Sequence, residues 1–374
     1  MKLLIAGDLV PTDSNIDLFN SADLKTLLGN KLLDLWQDAD ERVFNLEAPI
    51  TDKWNPIKKY GVNLITSTKC INGIKALNPS CMTLANNHIL DQGEGGFAAT
   101  EEILKASKIP YVGAGNNLKE ARTPHIIERD GIKVGIYSCA DYEFTIATED
   151  TCGANPFDPL ESLDHIRDLD KICDYIIVLY HGGKEHYRYP SPYLQKLCRK
   201  MVEKGADLIV CQHSHCIGCF EIFQDSTIIY GQGNFIFDYA ESEFWRTSLI
   251  LQVNLKDELE INYLPIIKDG NRVALAEDEK AVEILNEFSQ RSKEILEGKF
   301  IEEKYKDFAE VNINNYLRVF LGMNKWISRI DRYMLKNRLI RYKLKKNRLL
   351  ALENFIQCEA HRELLLKGLQ IKSQ

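Results

Sequence analysis

The chain has 374 residues, 45% of them hydrophobic and 27% charged, which is typical of a folded globular protein with one large domain or two. No apolar run reaches the roughly 18 residues of a membrane-spanning helix, and the N-terminal apolar stretch is too short for a secretory signal, so we exclude a transmembrane, secreted or disordered protein. The net charge of −7, from 47 basic and 54 acidic residues, argues against nucleic acid as a partner.

In chain order, the predicted elements alternate between apolar runs and helical patterns. Predicted strands span residues 2–6, 42–46, 81–85, 111–112, 126–128, 133–139, 175–180, 208–211, 228–230, 235–237, 248–254 and 258–263. Predicted helices span residues 22–36, 68–77, 101–107 and 194–203, and almost the whole chain from about residue 276 onward. This alternation predicts βαβ units, and therefore an α/β body at 1–270 followed by a helical extension at 271–374.

Five polar clusters directly follow predicted strands. They are Gly7-Asp8, Asn45-Leu46-Glu47, Asn86-Asn87-His88, His181 and His213-Ser214-His215. Ligands of α/β proteins bind beyond the carboxyl ends of the strands, so the clusters would converge on one rim if the strands belong to one sheet. Alone, most of these clusters are more typical of a turn, a helix cap or a histidine at the edge of the core than of a ligand site. Together, their carboxylates, amide oxygen and imidazoles predict a site for Mn, Fe, Zn or Mg rather than for a thiolate-bound metal.

The order and spacing of these motifs over about residues 1–270 resemble the calcineurin-like metallophosphoesterase superfamily. Within it, the chain closely resembles the bacterial capsule synthesis family typified by CapA, which is associated with poly-γ-glutamate capsules. The stretches that carry the resemblance include Ile5-Ala6-Gly7-Asp8, Asn45-Leu46-Glu47-Ala48-Pro49, Leu84-Ala85-Asn86-Asn87-His88-Ile89-Leu90-Asp91, His181-Gly182-Gly183, His213-Ser214-His215 and Gly231-Gln232-Gly233-Asn234. Each stretch is weakly specific alone, and the ordered set is highly specific.

The resemblance implies a metallophosphoesterase-like two-sheet α/β sandwich that holds two divalent metal ions at its strand ends. The implied ligands are Asp8 and His215 for the first metal, Glu47 as the bridge, and Asn87, His181 and His213 for the second metal. His88 would be the catalytic histidine, which touches the reacting phosphoryl oxygen without binding metal. The superfamily often has a histidine where this chain has Val10, so the first metal would lack one ligand.

Two functions are compatible with this resemblance. The first is a metal-dependent, phosphoesterase-like hydrolase of capsule or surface-polymer biosynthesis, which acts on an anionic small molecule or polymer. The second is a non-catalytic accessory protein that binds metal or polymer in a capsule synthesis or export complex. The nearly complete ligand set favours the enzyme, whereas Val10 favours the accessory protein.

Four further residues are weaker candidates for binding substrate. Lys58 and Lys59 would attract an anion, or would be ordinary solvated lysines. Glu185 would support a ligand or contact substrate, or would be an ordinary surface residue. Asn234 would orient a ligand, or would cap the turn at Gly233.

The ten cysteines are scattered along the chain, and a domain of this size needs no disulfides, so we expect a cytoplasmic protein. Three of them bracket the histidine pair, and we expect these to be ordinary buried cysteines rather than zinc ligands: Cys211, Cys216 and Cys219.

Charge changes sign along the chain. Residues 1–310 carry −17, whereas residues 311–374, with 14 Lys/Arg and four Asp/Glu, carry +10. Within this basic region, residues 325–348 hold ten Lys/Arg and a single acid, Asp331, together with an apolar stripe at helical spacing: Trp326, Ile330, Tyr333, Ile340 and Leu344. We expect the stripe to pack on the body. The alternative is that the basic helices contact an anionic membrane face or the capsule machinery.

Overall fold

The computed structural model describes residues 1–238, 241–256 and 258–373. Its first compact unit is Met1–Glu302, and its second begins at Glu303. The first unit therefore includes a strand and a helix that follow residue 270. The boundary of the family domain at 270 stays a prediction.

The strands of the described residues form two large sheets and one small sheet. They are β1 (Lys2–Val10), β2 (Glu41–Leu46), β3 (Cys81–Thr83), β4 (Tyr111–Val112), β5 (Ala114–Gly115), β6 (His125–Arg129), β7 (Ile132–Ala140), β8 (Gly153–Ala154), β9 (Tyr175–His181), β10 (Leu208–Gln212), β11 (Phe220–Phe223), β12 (Ser226–Ile229), β13 (Asn234–Phe237), β14 (Thr247–Leu255), β15 (Leu259–Asp269) and β16 (Arg272–Leu275). The short β5 and β8 form the small two-stranded sheet.

Helices of the first unit lie between these strands and after the last one. They are α1 (Ile16–Asn20), α2 (Leu24–Gln37), α3 (Ile71–Ala76), α4 (Gly93–Ala106), α5 (Leu118–Ala121), α6 (Ser162–Asp170), α7 (Pro192–Val202) and α8 (Asp278–Glu294). The next helix, α9 (Phe300–Phe320), begins in the first unit and continues into the second.

The first sheet has the strand order β16-β15-β14-β1-β2-β3-β4, and β13 joins it beside β1. β1 pairs with β14 through its first half and with β13 through Asp8–Val10. The second sheet has the order β11-β12-β10-β9-β7-β6. These pairings confirm the predicted two-sheet α/β architecture. The five polar clusters do not all follow strands of one sheet, as their predicted convergence on one rim required, because β9 and β10 belong to the second sheet.

The core lies in three layers, which follow from the two-residue period of the strands. Leu3 and Ile5 point into the layer between the two sheets, where they meet residues such as Ile177 and Val210. The alternate residues of β1, such as Leu4, face the outer layer beneath α2 and α4. A third layer lies between the second sheet and helices α6 and α7.

Local sequence signals fix several element ends. The side chain of Ser191 accepts a hydrogen bond from the Leu194 amide, and Pro192 occupies the first turn, so α7 begins there. Asp130 and Gly131 both have positive φ, at 51° and 80°, as the tight hairpin between β6 and β7 requires. α4 begins at Gly93, earlier than predicted, because the glycines of its first turns conceal the helical pattern.

The second unit is helical, as predicted. Its helices after α9 are α10 (Lys325–Tyr333), α11 (Arg338–Lys343), α12 (Lys346–Gln357) and α13 (Glu359–Ser373). Ile340 and Leu344 are buried in a small cluster with Leu317. Three members of the apolar stripe are exposed, namely Trp326, Ile330 and Tyr333, and the expected packing of the stripe on the body stays a prediction. Among the described residues, no helix is both long and apolar enough to span a membrane.

Candidate metal centre

Side chains from both sheets meet at the carboxyl ends of their parallel strands. Asp8 lies in β1, next to a register shift between Ala6 and Asp8, and Glu47 directly follows β2. From the second sheet come His181, the last residue of β9, and His213, which directly follows β10. These four side chains are buried, so the fold holds two carboxylates and two imidazoles away from bulk water.

The donor atoms form two groups that share one carboxylate. One group is Glu47, His181 and His213, and the other is Asp8, Glu47 and His215. Within each group, the donor atoms lie within 4.8 Å of one another. Among the described residues, the structure thus brings together five of the six predicted ligands in the two sets that the sequence predicted, with Glu47 in both.

The Glu47 carboxylate is the strongest physical indication of a metal. Both of its oxygens are buried without a hydrogen-bond partner, although Oε1 lies 3.1 Å from Nε2 of His181. Burial raises its pKa to about 8, against the opposing effect of the His88 charge. A buried carboxylate without donors is costly, and a divalent cation would supply the missing positive charge. The donor set therefore fits a metal.

Asp8 has a similar electrostatic environment. Burial, and then repulsion from Glu47, raise its pKa to about 7. Its Oδ1 accepts a 2.8 Å hydrogen bond from Nδ2 of Asn45, and its Oδ2 lies 3.8 Å from Nδ1 of His215. Asn45 belongs to a predicted cluster, but its role could not be predicted, because an asparagine that supports a carboxylate has no sequence signature of its own.

The histidines are held neutral, as metal ligands must be. Burial and the neighbouring imidazoles hold the pKa of His213 well below its usual range, and burial lowers the pKa of His215 to about 3. His213 has φ of +82°, and its buried Nδ1 has no hydrogen-bond partner. A buried ring nitrogen without a partner, on a residue of the group, again fits a metal.

Asn87, the sixth predicted ligand, lies beside His181. Its Oδ1 is 3.0 Å from Nε2 of His181, the same nitrogen that approaches Glu47. Oδ1 of Asn87 and Oε1 of Glu47 therefore both lie within contact distance of Nε2 of His181.

His88 is held on one side by a buried ion pair. Its Nδ1 lies 2.5 Å from Oδ2 of Asp91, and Nζ of Lys59 forms an ion pair with Oδ1 of the same carboxylate. Nδ1 donates to Asp91, so only Nε2 of His88 remains for a substrate. The Lys59 side chain is 4% exposed, which contradicts the alternative that it is a solvated lysine and also removes it as a free contact for substrate. Asp91 follows His88 in a family-like stretch, but its role could not be predicted from the sequence.

The other weak candidates differ in exposure. Lys58 and Glu185 are exposed, and the Glu185 charge acts on Glu47 after the larger effects of burial and His88. Asn234 is buried at the start of β13, and its Oδ1 lies 2.9 Å from Nδ1 of His215. Asn234 thus orients a candidate ligand, one of the two roles considered for it.

Val10 lies in an apolar cluster beside the first group. Its neighbours there include Phe237 and Trp245, and the Trp245 ring centroid is 4.5 Å from that of His215. Nε1 of Trp245 donates a 2.9 Å hydrogen bond to Nε2 of His186. Neither Trp245 nor His186 could be identified from the sequence, because the packing of residue 245 against β1 is a long-range contact.

The cysteines near the histidine pair are buried free thiols, and burial raises the pKa of Cys216. Among the described residues, neither group of candidate metal ligands includes a cysteine.

The sequence matches one family model over most of the first unit. The model describes a bacterial capsule synthesis protein, PGA_cap, and it matches residues 2–239.

Similar proteins come from several bacteria. The chain is 30% identical over 222 residues to a capsule biosynthesis protein CapA of Bacillus anthracis, covering 57% of this chain and 54% of that protein. It is 28% identical over 226 residues to a PGA biosynthesis protein CapA of Bacillus subtilis, covering 59% of each. It is 26% identical over 251 residues to a probable polyglutamine synthesis accessory protein of Mycobacterium tuberculosis, covering 63% of this chain and 64% of that protein. The matched region thus spans little more than half of the first two relatives.

Solved structures with a similar arrangement include a putative 5'-nucleotidase of Staphylococcus aureus, with 15% identity, a TM-score of 0.44 and coverage of 77% of this chain and 57% of that one. An NAD nucleotidase of Haemophilus influenzae has the same identity and TM-score, with coverage of 77% and 55%.

Proposed function

The chain belongs to the bacterial capsule synthesis protein PGA_cap family, and from this premise we propose that it is a metal-dependent, phosphoesterase-like hydrolase of capsule or surface-polymer biosynthesis. The observation that carries the proposal is the Glu47 carboxylate, which is buried, has no hydrogen-bond partner and is shared by two groups of candidate metal ligands. A shared carboxylate between two sets of imidazole and carboxylate donors is the arrangement expected of a hydrolytic site for two metals.

The proposed ligands are Asp8, Glu47 and His215 for one divalent cation, and Glu47, Asn87, His181 and His213 for the other. When bound, the cations would supply Lewis acidity toward the attacking water and the attacked group. Asn45 holds Oδ1 of Asp8, and Asn234 holds Nδ1 of His215, so these two ligands are oriented before any metal binds.

The proposed catalytic role of His88 follows from its hydrogen bonds. Asp91 accepts the proton of Nδ1 and fixes the ring, so Nε2 is free to hydrogen-bond the substrate and to exchange a proton with its leaving oxygen. Lys59 forms an ion pair with the other oxygen of the same carboxylate, whose side chain is fully buried beside His88. An anionic substrate, either a small molecule or a polymer, agrees with this chemistry and with the exposed Lys58.

Hydrolysis of a generic phosphoester tests the proposal. The purified protein is assayed with 4-nitrophenyl phosphate and bis(4-nitrophenyl) phosphate as isolated, after chelation, and after Mn, Fe, Zn or Mg is added back. We expect bound metal, hydrolysis that chelation abolishes, and recovery with at least one added metal. Protein that binds no metal under any of these conditions contradicts the proposal.

A second candidate function is a metal- or polymer-binding accessory of a capsule synthesis or export complex. It is favoured by Val10, which with Trp245 forms an apolar wall beside His215 where the superfamily often supplies another ligand. The same experiment separates the two functions, because the accessory protein would bind metal and show no turnover of either ester.

A further inference from the structure

Residues 325–348 of the second unit, here called the basic segment, carry unbalanced surface charge. All ten Lys and Arg side chains of the segment are exposed, whereas its only acid, Asp331, is buried. Asp331 accepts a hydrogen bond from the Leu339 amide and lies 3.6 Å from Nη2 of Arg318. The contacts of this carboxylate are therefore made within the second unit.

The cations of the basic segment are not neutralised by neighbouring carboxylates. Arg332 donates to Oδ1 of Asn315, and Arg348 donates to the carbonyl of Lys343, both at 2.9 Å and both to neutral oxygens. Within the described residues, no ion pair involves any of the ten cations. The segment therefore presents a concentrated positive charge that is available to a partner.

The same segment exposes large apolar side chains. Trp326 and Tyr333 are each 73% exposed and Met334 is 76% exposed. Trp326, Ile330 and Tyr333 follow one another at intervals of four and three residues, so they lie on one face of α10. Exposed apolar groups gathered in this way commonly mark an interaction surface.

We propose that this face of the basic segment binds the surface of an anionic lipid bilayer. Cations are attracted to acidic headgroups, and Trp and Tyr side chains favour the boundary between headgroups and hydrocarbon. A soluble polyanion would satisfy the charges alone, but it would leave Ile330 and Met334 in water, which is why a membrane fits better. At nine residues, α10 is about 14 Å long, so it lies along the surface rather than across the bilayer.

Sedimentation of the full chain with lipid vesicles tests this surface. We expect binding to vesicles of equal parts phosphatidylcholine and phosphatidylglycerol, loss of binding to phosphatidylcholine alone, and weaker binding as salt increases. Replacing Trp326 and Tyr333 together by alanine removes no charge and should weaken binding by about tenfold or more, because apolar burial is lost. Both side chains are exposed, so the variant should keep the far-ultraviolet circular dichroism of the parent.

Trp54 provides a matched control, because it is 62% exposed but lies in the first unit. Trp54→Ala should bind vesicles like the parent chain. Tryptophan fluorescence should shift to the blue on mixed vesicles in the parent and in Trp54→Phe, and this shift should be lost in Trp326→Phe.

A soluble polyaspartate is tested in parallel. Weakened vesicle binding by the double alanine variant, with unchanged polyaspartate binding, supports the proposal. It is overturned by vesicle binding that does not depend on Trp326 and Tyr333, by equal binding to both kinds of vesicle, or by binding to polyaspartate alone.

Discussion

His213 and His215 belong to different groups of candidate ligands, although one residue separates them in the chain. Both have positive φ, 82° and 55°, and this turn places the two imidazoles in different groups, both of which include Glu47. Replacing both by alanine removes one donor from each group. We therefore expect the double variant to lose most of its metal, as measured by elemental analysis.

The control for this variant is His165→Ala. His165 is a partly exposed histidine whose Nδ1 contacts the hydroxyl of Tyr137, away from the groups of candidate ligands. It should keep the parent metal content. Full metal retention by the double variant would contradict the proposed ligands.

His88 is expected to be dispensable for metal and necessary for turnover. Its Nδ1 is held by Asp91, and it belongs to neither group of candidate ligands. His88→Ala should keep its metal and lose roughly 10²–10⁴-fold in turnover of a phosphoester, the usual contribution of a general acid or base. Metal analysis and kinetics on the same preparation check this, and a variant that loses metal but keeps its rate would reverse the assignment.

Lys58 and Lys59 are neighbours in sequence with different environments. Lys59 is buried in the ion pair with Asp91, whereas Lys58 is exposed. Lys59→Met leaves the Asp91 charge buried without its cation, so it should lower the free energy of unfolding by about 3–5 kcal/mol. Lys58→Met should change it by less than about 0.5 kcal/mol. Denaturant unfolding of both variants measures the difference, and equal effects would show that the ion pair is unimportant.

These residues also show which parts of a site can be predicted from the sequence and which cannot. Asp8, Glu47 and the histidines could be found because each follows an apolar run and belongs to an ordered motif. The role of Lys59 could not be found, because its partner is 32 positions away and the intervening loop has no periodic pattern. Exposure, which separates Lys58 from Lys59, is set by tertiary packing.

At the scale of elements, apolar runs predicted the central strands of both sheets, such as β1 and β9, because these strands are buried on two faces. β1 extends four residues beyond its predicted end, through Gly7 and Asp8 to Val10, and local composition gave no sign of this. The extension pairs with β2 at Asp8 and Leu9, and with β13, more than 200 residues later in the chain, at Asp8–Val10. The division of the strands between two sheets could likewise be predicted only from the resemblance to a known family, because strand pairing is a long-range property.

Gly7 makes this pairing possible. A Cβ atom at Gly7 would lie 2.0 Å from the backbone oxygen of Gly233, which cannot move without breaking the junction of β1 and β13. Gly7→Ala should therefore lower the free energy of unfolding by at least about 2 kcal/mol. Gly95, in α4, has open space around it, and Gly95→Ala should stabilise the protein by roughly 0.5–1 kcal/mol. Denaturant unfolding tests both, and a neutral Gly7→Ala would show that the junction can open without cost.

At the scale of the whole molecule, the sequence predicted the change from an acidic α/β region to basic helices, because charge and periodicity are local properties. The position at which the first compact unit ends could not be predicted in this way, because it depends on which helix completes the core. Phe288 of α8 packs against Phe220 and Tyr263, with ring centroids 5.1 and 5.0 Å apart, and so covers the layer between the sheets at one edge. The predicted boundary at 270 would remove this helix.

Two truncated chains test where the folding unit ends. A chain of residues 1–302 keeps the three core layers, which include residues as late as Ile301, and keeps every proposed metal ligand. We expect it to fold cooperatively and to hold as much metal as the full chain. A chain of residues 1–270 lacks β16 and α8 and exposes Phe220 and Tyr263, so it should melt at a lower temperature or aggregate. Calorimetry and metal analysis compare the two. Equal stability of both chains would show that α8 does not contribute to the stability of the first unit. Aggregation of residues 1–302 would show that the second unit is needed for the first to fold.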